Sequence, residues 1–295
     1  MAGVPGGALC LALMLLWGSQ HAIAAPRSTM AVERGRYLVT AGGCITCHTM
    51  DRPSAVPMAG GRALSTPFGT FYSPNLTPDL VTGIGAWTDA DFARALREGV
   101  APDGTYYYPV FPYPTYTGLN DEDVAAIAAY LRSLTPVRQP RLEHKLPWYL
   151  AFRPVLFGWN LLNFSPARFQ PEPARGVGWN RGAYLVRHLA HCGECHSPRN
   201  RLGAVDHHRE LTGNPEGTDG KKVPDISQNP KTGIGSWDLD DIVNLLETGL
   251  LPGGDFAGRS MSEVIDDNTS KLTPEDRRAI AVYLKSLPAS GAGLP

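Results

Sequence analysis

Two short cysteine motifs carry the most specific chemistry in the chain. Residues 44–48 are Cys-Ile-Thr-Cys-His and residues 192–196 are Cys-Gly-Glu-Cys-His, so both have the spacing Cys-x-x-Cys-His. Two thiols at this spacing lie on one helical turn, where both can add to the vinyl groups of one porphyrin. The histidine that follows then lies beneath the iron as an axial ligand. The motifs predict two covalently bound haem c groups, held by Cys44, Cys47, His48, Cys192, Cys195 and His196.

Zinc binding, disulfide formation and dithiol redox chemistry are the competing interpretations of these cysteines. A four-cysteine zinc site has its two pairs about 15–20 residues apart, whereas Cys44 and Cys192 are 148 positions apart. A thioredoxin-like dithiol needs a βαβ unit, which the sequence does not predict. An exported chain can oxidise such pairs to disulfides, but a histidine directly after each pair favours haem.

The two motifs lie in matching copies of one repeated segment. Four strings recur in the same order, among them Thr-Gly-Ile-Gly, which precedes Trp87 and, 150 positions later, Trp237. Ordered matches of this kind predict a duplicated domain of ordinary size. The predicted segments are a signal peptide (1–25), a first domain (26–136), a linker (137–173), a second domain (174–288) and a C-terminal tail (289–295).

Each copy has the sequence pattern of short helices. Thr88 with Asp91 three positions later predicts a capped helix start, and Gly99 predicts the end of that helix. Asp238 and Gly249 predict the same helix in the second copy. The last helix of each copy is predicted to begin at Asn120 and at Thr273. With 32 Gly and 26 Pro in the chain, the predicted fold is all-α, with long Gly/Pro-rich loops.

The N-terminus and the charge balance bear on location and partners. An apolar run at residues 9–17 precedes small residues at 22–25, which predicts a secretory signal cleaved after Ala24 or Ala25 and a periplasmic protein. An uncleaved membrane anchor is the alternative, although so short a run spans a bilayer poorly. The formal net charge is −1 and no Lys/Arg-rich run occurs, which excludes nucleic acid as a partner.

The linker, residues 137–173, is rich in proline and large aromatic residues. Polar residues such as Arg153 and Asn160 interrupt it, so it does not predict a membrane span. Large aromatic side chains at a surface usually mark an interface. We therefore expect the linker to pack between the two domains, or to dock on a partner subunit or a membrane surface.

Both copies resemble the class I cytochrome c fold. Nearly the whole mature chain resembles the multi-haem cytochrome subunits of periplasmic alcohol, aldehyde and gluconate dehydrogenases. The resemblance rests on the two cysteine motifs, on the Ser-Pro-Arg-Asn string after the second motif, and on residues 66–71, 74–79, 82–87 and 108–113. That family usually carries three haem domains, whereas this chain has two motifs.

The resemblance implies a methionine as the sixth iron ligand, from the loop before the last helix. Met261 occupies that position in the second copy and is the predicted ligand of the second haem. The corresponding residue of the first copy is Phe111, which cannot ligate iron. The first haem is then five-coordinate or ligated by another side chain, and the candidates are Met50, Met58, Tyr106, Tyr107, Tyr108 and His144.

Three further residues are candidates to contact haem. Trp87 and Trp237 lie in matched glycine-rich loops, where they either donate an indole N–H to a haem propionate or line the haem pocket. Arg62 either neutralises a propionate or is solvated at the surface.

These observations predict one-electron transfer. Because a methionine ligand raises the reduction potential, we expect electrons to enter at the first haem and leave through the second. The resemblance implies a subunit or partner of a periplasmic dehydrogenase that feeds quinone or a terminal oxidase, with peripheral membrane association through a partner.

Two other functions are weighed against electron transfer. One is a haem enzyme that uses an open coordination position at the first haem, peroxidase-like or small-molecule-binding. The chain lacks the Leu-Phe-Phe-Asp type of segment that di-haem peroxidases usually carry, and we assign no catalytic residue because no nucleophile with a base occurs. The other is a docking subunit with incidental haems, which two matched motifs disfavour.

Overall fold

The computed structural model describes residues 1, 3, 26–217 and 220–289. The predicted signal peptide, apart from residues 1 and 3, and the predicted tail beyond Ala289 lie outside the described residues. The described chain is mostly helical. Its elements are α1 (Pro26–Ala41), α2 (Cys44–His48), β1 (Ala63–Thr66), β2 (Gly69–Tyr72), α3 (Asp89–Glu98), α4 (Tyr113–Tyr116), α5 (Asp121–Ser133), α6 (Trp148–Ala151), α7 (Val155–Asn163), α8 (Val177–Tyr184), α9 (Gly193–His196), α10 (Leu239–Thr248), α11 (Arg259–Asp267) and α12 (Pro274–Lys285).

Helices α3 and α10 begin and end where the capping residues predict. Thr88 caps α3 and Asp238 caps α10, each in a capping box with the aspartate three positions later. Gly99 and Gly249 end the two helices with φ of 66° and 80°, in the left-handed region that glycine enters without strain. We call residues 26–136 the first half and residues 174–288 the second half. The last helix of each half, α5 or α12, also begins after its predicted cap.

A two-stranded hairpin departs from the all-α expectation. Strands β1 and β2 pair antiparallel, with Thr66 opposite Gly69 at the turn. Gly69 has φ 122°, and a Cβ there would lie 2.4 Å from the carbonyl oxygen of Lys145. The β-branched and aromatic residues at 70–72 favour a strand. The fold is therefore mostly helical rather than purely α-helical.

Two matching helix crossings form the frame of the molecule, α1 on α5 and α8 on α12. Gly35 lies at the first crossing, where a Cβ would be 1.9 Å from the carbonyl oxygen of Ala126. Gly182 lies at the second, where a Cβ would be 2.0 Å from the carbonyl oxygen of Ala279. Any side chain at these positions would force the backbones apart, which explains the glycine in the repeated Arg-Gly-x-Tyr string.

The tyrosine of the same string joins the two halves reciprocally. The Tyr37 hydroxyl donates to the Asp276 carboxylate of the second half over 2.6 Å. The Tyr184 hydroxyl donates to the Asp123 carboxylate of the first half, also over 2.6 Å. Each carboxylate is paired as well with an arginine of its own half. The two halves therefore meet through equivalent contacts.

Most buried apolar residues of the two halves form one shared core cluster, and a smaller cluster consists of Phe71, Tyr108 and Leu156. The shared cluster contains Leu38 and Ile127 from the first half, and Leu185 and Tyr283 from the second. All four side chains are buried. Because apolar burial is the main driving force of folding, this shared cluster fixes how the halves are oriented.

A π-helical turn precedes the second cysteine motif. Tyr37 lies seven positions before Cys44, but Tyr184 lies eight positions before Cys192. Helix α1 stays regular, whereas α8 continues into a π-helical turn at Leu185–Leu189. A π turn accommodates one more residue than an α turn, so the additional residue of the second half is taken up there.

The linker contains two short helices, α6 and α7, and packs on both halves. The Tyr108 hydroxyl donates to the carbonyl oxygen of Leu150 over 2.7 Å. The Trp159 indole N–H donates to the carbonyl oxygen of Leu202 over 2.8 Å. In the part of the chain that the structure describes, no helix combines the length and apolar character that a membrane crossing requires.

Candidate haem-attachment sites

The cysteines of the two motifs lie on or directly before the short helices α2 and α9. Cys44, Cys47 and Cys192 carry free thiols. Burial raises the pKa of Cys44 to about 12, and the neighbouring Cys47 adds to the rise. Burial likewise raises the pKa of Cys192 to about 12, with a smaller contribution from Cys195. The first thiol of each pair is therefore protonated at neutral pH, and a thiol in that form supplies both the sulfur and the hydrogen that add across a vinyl group.

The two histidines of the motifs are held in the tautomer that binds iron. His48 Nδ1 lies 2.8 Å from the carbonyl oxygen of Pro74, and His196 Nδ1 lies 2.8 Å from that of Pro224. A carbonyl only accepts, so Nδ1 carries the proton and Nε2 keeps its lone pair. Burial lowers the pKa of both histidines, although the carbonyl contact opposes it. A neutral imidazole oriented by its other nitrogen is the usual metal-binding form.

The backbone carbonyl of each motif histidine accepts a hydrogen bond from a glycine, and the loop that carries this glycine has the same geometry in both halves. Gly60 N–H donates to the carbonyl oxygen of His48, and Gly213 N–H to that of His196, both over 2.8 Å. The φ angles of the two glycines are 76° and 86°. A Cβ at Gly60 would lie 2.4 Å from the carbonyl carbon of Pro74. Glycine thus lets the loop that carries the acceptor carbonyl lie against the histidine.

The donor set fits covalent haem better than the competing interpretations. Each motif offers two thiols and one neutral imidazole nitrogen, as an attached c-type haem requires. Within residues 26–217 and 220–289, no three His, Cys, Asp or Glu side chains converge where they could hold a bare metal ion.

The third residue of each cysteine motif contacts the opposite half. The Thr46 hydroxyl donates to the Asp267 carboxylate of α11 over 3.3 Å. The Thr115 hydroxyl of α4 donates to the Glu194 carboxylate over 2.5 Å. Each motif therefore contacts a short helix of the other half. The second motif contacts α4, which begins two positions after Phe111, and the first motif contacts α11, which carries Met261.

The two motifs also lie close to each other at this boundary. Burial raises the pKa of Cys47, and the negative charge of the Cys195 thiolate contributes to the rise. His191 Nε2 lies 3.1 Å from the carbonyl oxygen of Gly42, two positions before the first motif. The two cysteine motifs therefore lie at one interface. The sequence patterns assigned His191 no role, because its contact depends on how the halves dock.

Met261 lies in a helix rather than in the predicted loop. It is half buried in α11 and packs against the shared core. Ile265, one turn later, is buried, so the two apolar residues share an inward face. The expectation of a loop is wrong here because this apolar spacing stabilises a helix. Ligation of iron by Met261 stays a prediction.

Phe111 occupies the position that matches Met261. It is half buried against the same core, and its ring centroid lies 5.9 Å from that of Tyr116. The first half therefore has an aromatic cluster at this position, where the second has a thioether. The backbones of the two halves are equivalent just before these residues. Tyr107 N–H donates to the carbonyl oxygen of Gly99 over 2.7 Å, and 150 positions later Ala257 N–H donates to that of Gly249 over 2.8 Å.

Several alternative ligand candidates have packing roles. Met58 is buried with φ 65°, and the matching position of the second half is Leu211 with φ 64°; a leucine cannot ligate iron. His144 Nδ1 accepts from Tyr72 N–H over 3.1 Å. Burial raises the pKa of Tyr107, beside Phe111, to about 12. The remaining candidates are Met50 beside Gly61, Tyr106 against Phe157 and Tyr108 beneath Arg153.

Trp87 and Trp237 lie at matching places on the core. Both rings are half buried against the core cluster. Arg132 donates to the carbonyl oxygen of Trp87 over 2.9 Å, and Lys285 to that of Trp237 over 2.8 Å. Cations of the two last helices thus hold both tryptophan loops, and contact of either tryptophan with haem stays a prediction.

Arg62 forms an ion pair across the boundary between the halves. Its guanidinium makes two hydrogen bonds with the Glu263 carboxylate, one of them 2.9 Å long. Glu263 lies on α11, two positions after Met261. The guanidinium is therefore partly neutralised within the protein, and the pair fastens α11 to the first half.

Comparison with known proteins gives the family. The cytochrome c family matches residues 32–135. The chain is 41% identical over 264 residues to a protein named diheme cytochrome c-type from Cereibacter sphaeroides, a match that covers 88% of this chain and 87% of that protein. It is 42% identical over 294 residues to one of the subunits of nicotinate dehydrogenase from Pseudomonas putida, covering 97% of this chain.

The coverage of these relatives differs. The chain spans only 24% of the length of the nicotinate dehydrogenase protein. It is 40% identical over 265 residues to the fructose dehydrogenase cytochrome subunit of Gluconobacter japonicus, a match that covers 88% of this chain and 53% of that protein. The diheme relative is matched over most of its own length, and both motifs carry the thiols and the imidazole that attach haem c. The chain belongs to the cytochrome c family.

Proposed function

We propose that the chain is a periplasmic di-haem cytochrome c with two tandem domains, which transfers electrons one at a time. The observation that carries this proposal is the equivalence of the two motifs, each with a thiol pair and a neutral histidine whose Nε2 is available. Covalent haem supplies a reversible one-electron carrier, and the protein sets its potential through ligands and burial. The similarity to a protein named diheme cytochrome c-type supports the count of two.

The electron donor is proposed to be a dehydrogenase. Two of the relatives are named as subunits of nicotinate dehydrogenase and fructose dehydrogenase. We infer that this chain accepts electrons from a dehydrogenase of this kind and passes them toward quinone or a terminal oxidase. Its residues attach the haems, orient the histidine ligands and shield the haems from solvent, and none is assigned a catalytic step.

The interface between the halves supports direct exchange between the two haem sites. The paired contacts Thr46–Asp267 and Thr115–Glu194 hold the motifs against opposite halves. The residues that would hold the two haems lie at this one boundary, and the attached groups would supply one-electron exchange there.

The test is haem content in variants of each motif. We expect the exported, denatured protein to retain two haems by intact mass and by the pyridine haemochrome spectrum. The double substitution Cys192→Ser with Cys195→Ser is expected to remove one haem, and Cys44→Ser with Cys47→Ser the other. Full haem content in either double variant, or a colourless denatured wild type, contradicts the proposal. N-terminal sequencing should find Ala25 or Pro26 first if the signal peptide is cleaved.

A haem enzyme is the second candidate, and Phe111 is the observation that favours it. A phenylalanine at the position of the expected sixth ligand leaves the first haem without that methionine. Binding of carbon monoxide to the reduced protein shows whether an iron position is open, as both a five-coordinate carrier and an enzyme would have it. Turnover of peroxide by the same preparation would favour the enzyme over the carrier.

A further inference from the structure

The linker leaves seven large apolar side chains exposed between residues 148 and 162. Helix α7 turns Leu156 and Asn160 inward, where both are buried. Its opposite side carries Leu161 and Leu162, which are 75% and 74% exposed. We call the exposed set the α6–α7 surface, and its members are Trp148, Tyr149, Phe152, Val155, Phe157, Leu161 and Leu162.

This surface is not a by-product of poor packing in the linker. The inward side of α7 makes specific contacts, because the Tyr113 hydroxyl donates to the side-chain oxygen of Asn160 and the Trp159 indole donates to the second half. The outward side presents only apolar side chains along the helix. Exposed apolar patches of this extent usually mark a binding surface.

The charge of the surrounding segment is opposite in sign to that of the chain. Residues 137–173 contain five Lys or Arg and two Asp or Glu, a net charge of +3, whereas the whole chain carries −1. The cations that precede α6 are exposed, and they are Arg138, Arg141 and Lys145. Lys145 lies three positions before α6 in the chain, and an apolar face in a cationic segment is complementary to an anionic lipid surface.

We propose that the α6–α7 surface docks the protein on the anionic lipid of a membrane. This deepens the proposed function, on which it rests, by naming the surface and the lipid chemistry. Helix α7 has nine residues, about 14 Å of helix, so it lies along the headgroup region. Trp148 and Tyr149 lie at one end, and such rings favour the interface between water and acyl chains.

Lipid explains the surface better than a protein partner. A protein interface of ordinary size carries about ten hydrogen bonds at its contact residues. The outward side of α7 offers no side-chain donor or acceptor between Val155 and Leu162, apart from backbone used within the helix. Acyl chains need no such partners, and lipid phosphates suit the exposed cations of the same segment.

The experiment measures binding of the haem-loaded protein to vesicles. We expect flotation with vesicles of equal phosphatidylglycerol and phosphatidylcholine, and release as the salt concentration rises. The double substitution Leu161→Gln with Leu162→Gln is expected to lower the partition coefficient about tenfold or more. The matched control is Leu80→Gln with Val81→Gln, an equally exposed apolar pair elsewhere, and it should bind like the wild type.

Three outcomes overturn the proposal. They are a wild type that ignores phosphatidylglycerol vesicles, an α7 variant that binds as well as the wild type, and a control that loses as much binding. A wild type that self-associates in sedimentation, through Leu161 and Leu162 and without lipid binding, assigns the surface to a second copy instead. Haem content is measured in every preparation, so loss of haem, which contradicts the proposed function, is distinguished from loss of lipid binding alone.

Discussion

The two haem sites differ most clearly at a single residue, Phe111 against Met261. Around it the halves agree: each histidine bonds a proline carbonyl over 2.8 Å, and each tryptophan loop is held by a cation of the last helix. A thioether can donate electrons to iron, whereas a phenyl ring cannot. A difference of redox behaviour between the two sites is therefore expected to originate at this position.

Substitution Phe111→Met tests that origin. In the wild type we expect carbon monoxide to bind one reduced haem, and we expect that haem to have the lower midpoint potential. The variant should lose carbon monoxide binding and show a higher value for the lower potential, because a thioether ligand then becomes available. The measurements are the Soret spectrum with carbon monoxide and a potentiometric titration.

The matched control is Phe164→Met, the same chemical change at a half-buried linker residue beside Tyr113. It should leave both potentials in place. A wild type whose two potentials coincide, or a Phe111→Met protein that still binds carbon monoxide, contradicts the assignment.

At this scale the sequence predicted local chemistry well and long-range contacts poorly. The cysteine spacing, the histidine ligands and the helix caps all depend on neighbours within a few residues. Thr115, which contacts Glu194 across 79 positions, has no local pattern that marks it. Arg62 was expected near a propionate or in solvent, and its ion pair with Glu263 depends on how the halves dock.

Among the elements, those with local start and stop signals were predicted and those that depend on other segments were not. Helices α3 and α10 follow from capping boxes and terminal glycines. The hairpin was missed because its second strand is completed by the linker, where Thr70 and Lys145 exchange backbone hydrogen bonds of 2.9 and 2.8 Å. The π turn at Leu185–Leu189 accommodates one residue that the second half has and the first half lacks. The repeat shows that this residue is present, but it does not show where along the helix it is inserted.

The docking of the linker on the hairpin is predicted to be sensitive to pH through His144. Its ring packs against Phe71 and Tyr108. Burial lowers the pKa of His144 to about 4, with Arg141 and Arg153 adding to the effect. The unfolded chain, with a histidine pKa of about 6.5, binds the proton first. Stability is therefore lost as the pH falls from about 6.5 toward 4.

Substitution His144→Gln should reduce that loss, because an uncharged amide does not titrate. We expect the melting temperature of the variant to fall less than that of the wild type between pH 7 and pH 4.5. The control His208→Gln changes an exposed histidine and should keep the wild-type profile. Parallel profiles for wild type and His144→Gln would mean that other groups set the acid sensitivity.

The whole molecule is held together by contacts that occur in equivalent pairs. Tyr37 and Tyr184 bond the carboxylates of opposite halves. The third residue of each cysteine motif also bonds the opposite half, Thr46 as donor to Asp267 and Glu194 as acceptor from Thr115. The repeat predicted two copies of one unit, but a repeat describes each copy and not how the copies meet. The shared core and the reciprocal bonds supply that arrangement.

The double substitution Tyr37→Phe with Tyr184→Phe tests whether these bonds join the halves. Each lost hydrogen bond to a carboxylate is worth about 1.5 kcal/mol or more, so the free energy of unfolding should fall by about 3 kcal/mol. The control Tyr149→Phe alters an exposed ring and should change it by less than about 0.5 kcal/mol. Denaturant unfolding, followed by far-ultraviolet circular dichroism and by the Soret band, measures both.

The number of steps in the unfolding transition is the stronger test of whether the two halves form one unit. If the reciprocal bonds and the common core make one cooperative unit, the wild type unfolds in a single step, with both probes coincident. Loosening the boundary should separate the halves, so the double variant is expected to unfold in two steps. Its electron exchange between the haems should also slow, because the cysteine motifs meet at the same boundary. A double variant that keeps one transition and full stability would show that core packing alone joins the halves, with the tyrosines contributing nothing to their docking.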